Sequence, residues 1–377
     1  MEHLSVRRRL LSCAAAIAAM VSTILPFNDV SAQTPRDVRI QFTDASTLTL
    51  VGKLMPGTPN PFHRVDTVRF KGFTKGENTQ VRMCTGMSVA FTTSSSVISV
   101  KAKYGQRQSP LNCSAFAARG FDLYIKKDGA WTYAASAAPA ENALEKAFEI
   151  IRNMDSSRKE CLLYLPIYSE LLSLEIGVEE GSGIEPLPMP FRHRVAIFGS
   201  SYTHGSSTSR PGMTYPAQLT RMTGIQFLSL GCSGNSKLQP YFADVLAATD
   251  ADAFVFDAFS NPSVAQIKER LFPFIEKVQA AHPGVPLIFQ KTIRRESRNF
   301  NVASERFEAE RMQVADSLMR IACRKYKDVY WVDCTNASVK SHDTSVDGIH
   351  PTNYGYTLWA ESVRKPITRI LKKYGIR

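Results

Sequence analysis

From residue 195 onward, short apolar runs alternate with segments of helical period, and few folds accommodate that pattern. Apolar runs fall at 195–198, 225–230, 253–256, 286–290 and 329–332. Between and after them, helical patterns span about 215–222, 238–248, 264–281, 305–326 and 356–374. A strand that is apolar along its whole length is covered on both faces. Strands of that kind alternating with helices predict a parallel sheet with helices on each side, an α/β architecture. In such sheets ligands bind at the carboxyl ends of the strands. The residues that follow each strand are therefore read as one set.

Upstream the period is different. Val38, Ile40 and Phe42 alternate with polar residues, and 97–104, 161–166 and 172–178 read as further strands. Phe121-Asp122-Leu123-Tyr124-Ile125 runs to Asp128-Gly129 and then Ala130-Trp131-Thr132-Tyr133, a hairpin with a favoured turn pair. One short helical pattern is expected around 140–153. Many short strands separated by turns predict a β-sandwich of about 140 residues. Pro186-Leu187-Pro188-Met189-Pro190 follows, too rich in proline for a helix or a central strand. The expected boundaries are a β-sandwich domain at 33–185, a stiff linker at 186–192 and the α/β domain at 193–377.

Residues 1–32 are expected to be removed. Arg7-Arg8-Arg9 precedes an apolar, Ala-rich run, and Val30-Ser31-Ala32 supplies small residues before Gln33, the pattern of a secretory signal peptide. The run stops at Pro26, short of the ~20 apolar residues that span a membrane, and no later stretch spans one. The expected location is secreted or periplasmic. The chain of 377 residues carries a formal +12, of which +11 remains beyond residue 32. That balance reads as a solvated basic face, with an anionic polysaccharide as the alternative; no nucleic-acid motif is present. Beyond Cys13, six cysteines show no CxxC spacing, so no metal site or cofactor is expected. Export permits a disulfide such as Cys84–Cys113, with buried thiols as the alternative.

The strand ends carry chemistry. After the first apolar run comes Gly199-Ser200-Ser201, after the second Gly231-Cys232-Ser233-Gly234-Asn235, and after the third Asp257-Ala258-Phe259-Ser260-Asn261-Pro262. After the fifth, across a loop, comes Asp347-Gly348-Ile349-His350-Pro351. A serine hydroxyl is a weak nucleophile and needs a base to take its proton. His350 suits that task near neutral pH, and Asp347, three residues earlier, can reach back to fix its tautomer. The N–H groups of Ser201 and Gly234 and the amide of Asn261 are the candidate donors to an oxyanion. The expected set is catalytic Ser201, Asp347 and His350, with Ser201, Gly234 and Asn261 as the oxyanion hole. Asp257 is expected to be structural. His204 either lines the pocket or supports it from behind. Trp131, Trp331 and Trp359 are assigned to the core, with a sugar-stacking surface as the alternative for Trp131.

The ordered set of Gly199-Ser200-Ser201, Gly234-Asn235, Asn261 and Asp347-Gly348-Ile349-His350-Pro351 resembles the four blocks of the SGNH/GDSL hydrolase superfamily. With Arg210-Pro211-Gly212-Met213-Thr214-Tyr215 it is similar to a bacterial subgroup in which a β-sandwich precedes the hydrolase domain. The resemblance implies a flavodoxin-like three-layer α/β/α fold behind a jelly-roll-like sandwich, and esterase, lipase, thioesterase or carbohydrate deacetylase activity. It places the nucleophile at Ser201, the oxyanion hole at Gly234 and Asn261, and the rest of the triad at Asp347 and His350. Two positions depart from the pattern: Ser200 stands where an aspartate is usual, and Asn261 lies in Ser260-Asn261-Pro262 rather than Gly-x-Asn-Asp. The function expected is a secreted serine esterase acting on acyl, above all acetyl, esters of carbohydrate. The alternatives are a glycan-binding protein with a relic hydrolase domain, or a thioesterase or lipase.

Overall fold

Fifteen strands in three sheets organise the chain in a computed structural model, which describes residues 38–334 and 341–377. The proposed signal segment lies outside the described residues. Five parallel strands form the largest single-direction sheet: β11 (Arg192–Gly199), β12 (Ile225–Gly231), β13 (Ala253–Asp257), β14 (Leu287–Gln290) and β15 (Val329–Val332). Their spatial order is β12-β11-β13-β14-β15, a flavodoxin-like doubly wound sheet.

Alternation along β11 explains the two layers that cover it. Ala196 and Phe198 enter one core with Phe242, Phe274 and Met319. Val195 and Ile197 enter the other with Tyr215, Trp359 and Val363. The covering helices are α4 (Tyr215–Thr223) and α8 (Asn353–Lys373) on one face, with α5 (Pro240–Ala247), α6 (Val264–Ala281) and α7 (Val302–Lys325) on the other. These helices match the sequence patterns to within a few residues. Trp359 is buried, and Trp331 packs at the edge of the first core.

The upstream part is a sandwich of two antiparallel sheets. One has the order β1 (Ile40–Asp44), β9 (Ser169–Glu179), β4 (Ile98–Arg107), β7 (Phe148–Ile151). The other runs β10 (Ile184–Pro186), β3 (Ser88–Thr93), β8 (Lys159–Tyr164), β5 (Phe121–Lys127), β6 (Ala130–Ala137), with β2 (Thr49–Val51) also paired to β3. The β5–β6 hairpin turns at Asp128-Gly129 as expected. The helix expected over 140–153 does not form. Two turns lead into β7, which pairs with β4 and places Phe148 against Phe121. An open edge of the sandwich outweighs the local Ala/Glu/Lys composition that favours helix. Helix α1 (Lys75–Arg82), capped by Thr74 and Glu77, and the short helix α2 (Ala115–Arg119) carry no strong period and were missed. Cys84 and Cys113 are both free thiols, the second of the two alternatives left open by the sequence.

The sandwich and the α/β part interlock. Leu54, Met55, Val65 and Val81, upstream residues, fill the same core as Phe198 and Phe242. The Pro-rich segment is packed against both parts: the Leu187 N–H donates to Ala90 O, and Leu187 and Phe191 are buried with Val51, Tyr124 and Ala217. Trp131 packs on Phe191 in the same contact, with ring centroids 6.1 Å apart. Arg64 is fully buried between the two parts. Its guanidinium donates to Met83 O, Gln80 O, Ser229 O and Gly231 O, the last two at the end of β12.

Two predictions follow from burial. Replacing Arg64 by Met takes the guanidinium donors away from those buried carbonyls, so urea unfolding of the whole chain should show a loss of about 3 kcal/mol or more. At the carboxyl end of β13, burial lifts the Asp257 carboxyl to about 8, against smaller opposing effects of the Thr203 hydroxyl and Arg295. The unfolded chain ionises an aspartate near ~3.9, so this group is protonated in the folded state and ionised in the unfolded one across the intervening range. It therefore removes stability as pH rises from about 4 to about 8. Asp257→Asn should flatten the fall in melting temperature between pH 5 and pH 8; equal slopes in the two proteins would contradict the assignment.

Candidate active site

Gly199 ends β11 where no Cβ fits: one would stand 2.0 Å from Thr203 Oγ1 and 3.0 Å from Asp257 Cβ. The chain turns there into the four-residue helix α3 (Ser201–His204). Ser200 is the N-cap, accepting from the Tyr202 N–H at 3.3 Å, and is wholly buried. Ser201 is the first helical residue and keeps 8% exposure. Capping thus occupies Ser200 and leaves the Ser201 hydroxyl facing outward.

The second half of the site is a turn just before α8. Asp347 Oδ1 accepts from the Ile349 N–H at 2.9 Å and the His350 N–H at 2.7 Å. Gly348 takes φ +82° between them, a conformation that favours glycine. Ser345 and Pro351 pair as a β-bridge that closes the turn, and the Val346 N–H donates to His350 O. Thr352 then caps α8. The carboxylate is fixed by its own backbone, and its second oxygen is free to meet the imidazole.

The two halves meet in one hydrogen-bonded chain. His350 Nδ1 lies 2.8 Å from Asp347 Oδ2, and His350 Nε2 lies 3.0 Å from Ser201 Oγ. Partial burial works against the charged carboxylate. The hydrogen bonds from the His350 backbone, its imidazole and the Ile349 N–H outweigh that and hold Asp347 at about 2. An ionised Asp347 accepts from Nδ1–H, which leaves the Nε2 lone pair for the serine proton. Such an arrangement can raise the nucleophilicity of a hydroxyl.

Gly234 and Asn261 are not hydrogen-bonded to that chain among the described residues. Gly234 lies in the turn after β12, and Asn261 Oδ1 accepts from the Ser236 N–H at 3.3 Å and its hydroxyl at 3.4 Å. The asparagine is therefore tied to the loop that carries Gly234. Asp257 bonds Thr203, not His350. His204 is buried and stacks on Tyr168, with centroids 4.4 Å apart, and its nitrogens face Ile167 O and Gly231 O. Burial, reinforced by Arg64, pushes it down to about 3, and the neutral ring donates its one N–H to one of these two carbonyls.

Sequence reasoning missed the sandwich's share of this region. Asn112, from the loop before α2, donates to Asp347 Oδ2 at 2.9 Å. Asp122, buried in β5, accepts from Arg210 Nη1 at 2.7 Å and from the Gly212 N–H at 2.8 Å, and Arg210 also donates to the Tyr124 hydroxyl. A carboxylate between Phe121 and Leu123 in an apolar strand was a legible flag; Asn112 carried none. A shallow groove of about 570 Å³ lies beside the residues that flank Asp347 and His350, lined by Leu111, Asn112, Ser207, Ser209, Val346 and Asn353 among others, and its lining does not include Ser201, Asp347 or His350. A larger cleft of about 670 Å³ lies between α1, α5 and α6 and does not include Ser201, Asp347 or His350. Among the described residues, no helix is long and apolar enough to cross a membrane.

Comparison with known proteins agrees with this organisation. Residues 192–368 match the model of the GDSL-like lipase/acylhydrolase family, and residues 40–184 match a model described as the N-terminus of SGNH hydrolase-type esterases. A GDSL-like lipase from Bacteroides ovatus ATCC 8483 is 35% identical, with 89% of this chain and 98% of that one covered and a TM-score of 0.85. The salicylyl-acyltransferase SsfX3 of a tetracycline biosynthetic pathway shares the fold at 18% identity, TM-score 0.67, over 90% of this chain and 99% of its own. So does a family two carbohydrate esterase from Cellvibrio japonicus, at 11% identity, TM-score 0.59, over 89% of this chain and 98% of its own. Comparison with curated protein sequences gives no significant match. With both parts of the chain matched and the Bacteroides ovatus structure similar along its whole length, the chain belongs to the GDSL-like lipase/acylhydrolase (SGNH hydrolase) family and is an ester hydrolase.

Proposed function

We propose that this ester hydrolase is a secreted serine esterase that removes small acyl groups, acetyl above all, from carbohydrate. The observation that carries the reading is the unbroken chain from Asp347 Oδ2 through the His350 ring to Ser201 Oγ, with links of 2.8 and 3.0 Å.

In this reading Ser201 Oγ attacks the ester carbonyl carbon as its proton passes to His350 Nε2. Asp347 holds the tautomer and stabilises the imidazolium. The tetrahedral oxyanion is met by the Ser201 N–H at the start of α3 and by the Gly234 N–H and the Asn261 amide, whose loops are joined through Ser236. The C–O bond to the alcohol then breaks, and the alcohol leaves with the proton from His350. Water attacks the acyl-enzyme and gives its proton to His350, the acid departs, and Ser201 regains its proton.

The substrate class rests on the carbohydrate esterase neighbours of the same fold and on the groove beside the site. Ser114, Ser207, Thr208, Ser209, Thr352 and Asn353 give it hydroxyl and amide groups suited to a polyhydroxylated alcohol. The Cellvibrio japonicus carbohydrate esterase, similar over nearly its whole length, supports the same direction. Secretion rests on the composition of residues 1–32.

Two outcomes test the proposal. Ser201→Ala should cut turnover of 4-nitrophenyl acetate by at least about a thousandfold while the melting transition is retained; unchanged turnover would end the reading. Across 4-nitrophenyl esters, kcat/KM should fall from acetyl to octanoyl, with acetyl release from acetylated polysaccharide. A preference for octanoyl would exclude the carbohydrate deacetylase form of the proposal.

A further inference from the structure

The sandwich reaches the site through one side chain. Asn112 stands in the loop between β4 and α2, where the Cys113 N–H donates to Pro110 O in a tight turn. Two anchors fix that loop. The Gln108 N–H donates to Tyr168 O at 2.9 Å. On the other side the Ser114 hydroxyl donates to Ser209 O, across to the α/β part. Ser209 is in turn tied to Asn353 at the start of α8, its N–H donating to Oδ1 at 2.9 Å and its hydroxyl accepting from Nδ2 at 2.6 Å. The loop is thereby held to the same helix start that follows Asp347 and His350.

Asn112 Nδ2 lies 2.9 Å from Asp347 Oδ2 and 3.1 Å from His350 Nδ1. An ionised carboxylate only accepts, so the amide presents its NH₂ and not its carbonyl. Asn112 Nδ2–H and His350 Nδ1–H therefore converge on one oxygen. The other carboxylate oxygen is already held by two backbone N–H groups. We propose that Asn112 is a positioning residue for the hydrolase site, by which the sandwich orients Asp347 and sets how strongly it supports the imidazolium of His350. This rests on the proposed roles of Ser201, Asp347 and His350.

A second donor on Oδ2 acts in two ways. It fixes the rotation of the carboxylate, so that the imidazole is held in line with Ser201. It also shares the carboxylate oxygen that faces Nδ1–H, so the negative charge there is divided between two donors. The remaining groups that face His350 are few. Asp347 and Ser201 hydrogen-bond its nitrogens, and the Tyr202 ring packs edge-on at 6.1 Å. Arg295, behind Tyr202, donates to its hydroxyl. The sandwich thus supplies a working part of the site and not only a cover for the sheet.

The test compares Asn112→Ala, Asn112→Asp and Ser201→Ala in the whole chain, with 4-nitrophenyl acetate as substrate. Asn112→Ala should lower kcat about tenfold with KM unchanged, the size of effect expected for a hydrogen bond to a charged group. Asn112→Asp keeps the shape and places a second negative charge beside the imidazole. It should move the acid limb of the kcat/KM profile up by about one pH unit. A merely structural loop would lower activity without moving that limb, so an unmoved profile in Asn112→Asp overturns the proposal, as does a wild-type kcat in Asn112→Ala. Ser201→Ala separates the two readings. Activity retained there removes the site itself, whereas an inert Ser201→Ala beside an unmoved Asn112→Asp profile removes only the role of Asn112.

Discussion

A parallel sheet buried on both faces must be covered along its whole length, and that demand organises this molecule. Helices α4 and α8 cover one face. On the other, α5, α6 and α7 do not complete the core alone: Leu54, Met55, Val65 and Val81 come in from the upstream part. Arg64 makes the join polar as well as apolar, because its guanidinium satisfies carbonyls at the end of β12. The upstream sandwich is therefore bound into the hydrolase core, and the described residues from 40 onward form one compact unit. The loop carrying Asn112 and the loops at the strand ends inherit their positions from that join.

The sheet itself was legible because its signal is local. Each strand is a short continuous apolar run, and the helices between them keep a clear 3.6-residue period. The Asp347–His350 pair was legible for the same reason, since three residues of separation let an Asx-type turn bring carboxylate and ring together. Ser201 was chosen over Ser200 by resemblance to the family's first block, and the structure has Ser200 in the cap. What was lost depended on distant neighbours. Residues 140–153 look helical alone, yet β4 draws Phe148–Ile151 into its sheet. The segment from Pro186 to Pro190 reads as a stiff linker, and its composition does not show that Leu187 has a core to enter. Asn112 lies 235 residues from its partner Asp347, in a loop whose own composition says nothing of that contact.

Two parts of the chain thus converge on one small constellation. The α/β part brings the serine at a strand end and the carboxylate–imidazole turn before its last helix. The sandwich brings Asn112 to the carboxylate, and Asp122 and Tyr124 to Arg210 in the loop that leads into α4. The groove between them is lined from both sides. A composite site of this kind gives the sandwich a chemical reason to be joined to the hydrolase fold, beyond any binding surface it presents elsewhere.

The central claim is that Ser201 is a nucleophile activated through His350. The most direct measurement is covalent labelling with a fluorophosphonate, followed by intact-mass and peptide mapping of the whole chain. The account predicts a single adduct, carried by the peptide that contains Ser201, with labelling slowed sharply in His350→Ala. An adduct on another residue, or labelling of Ser201 at the same rate without His350, would contradict it.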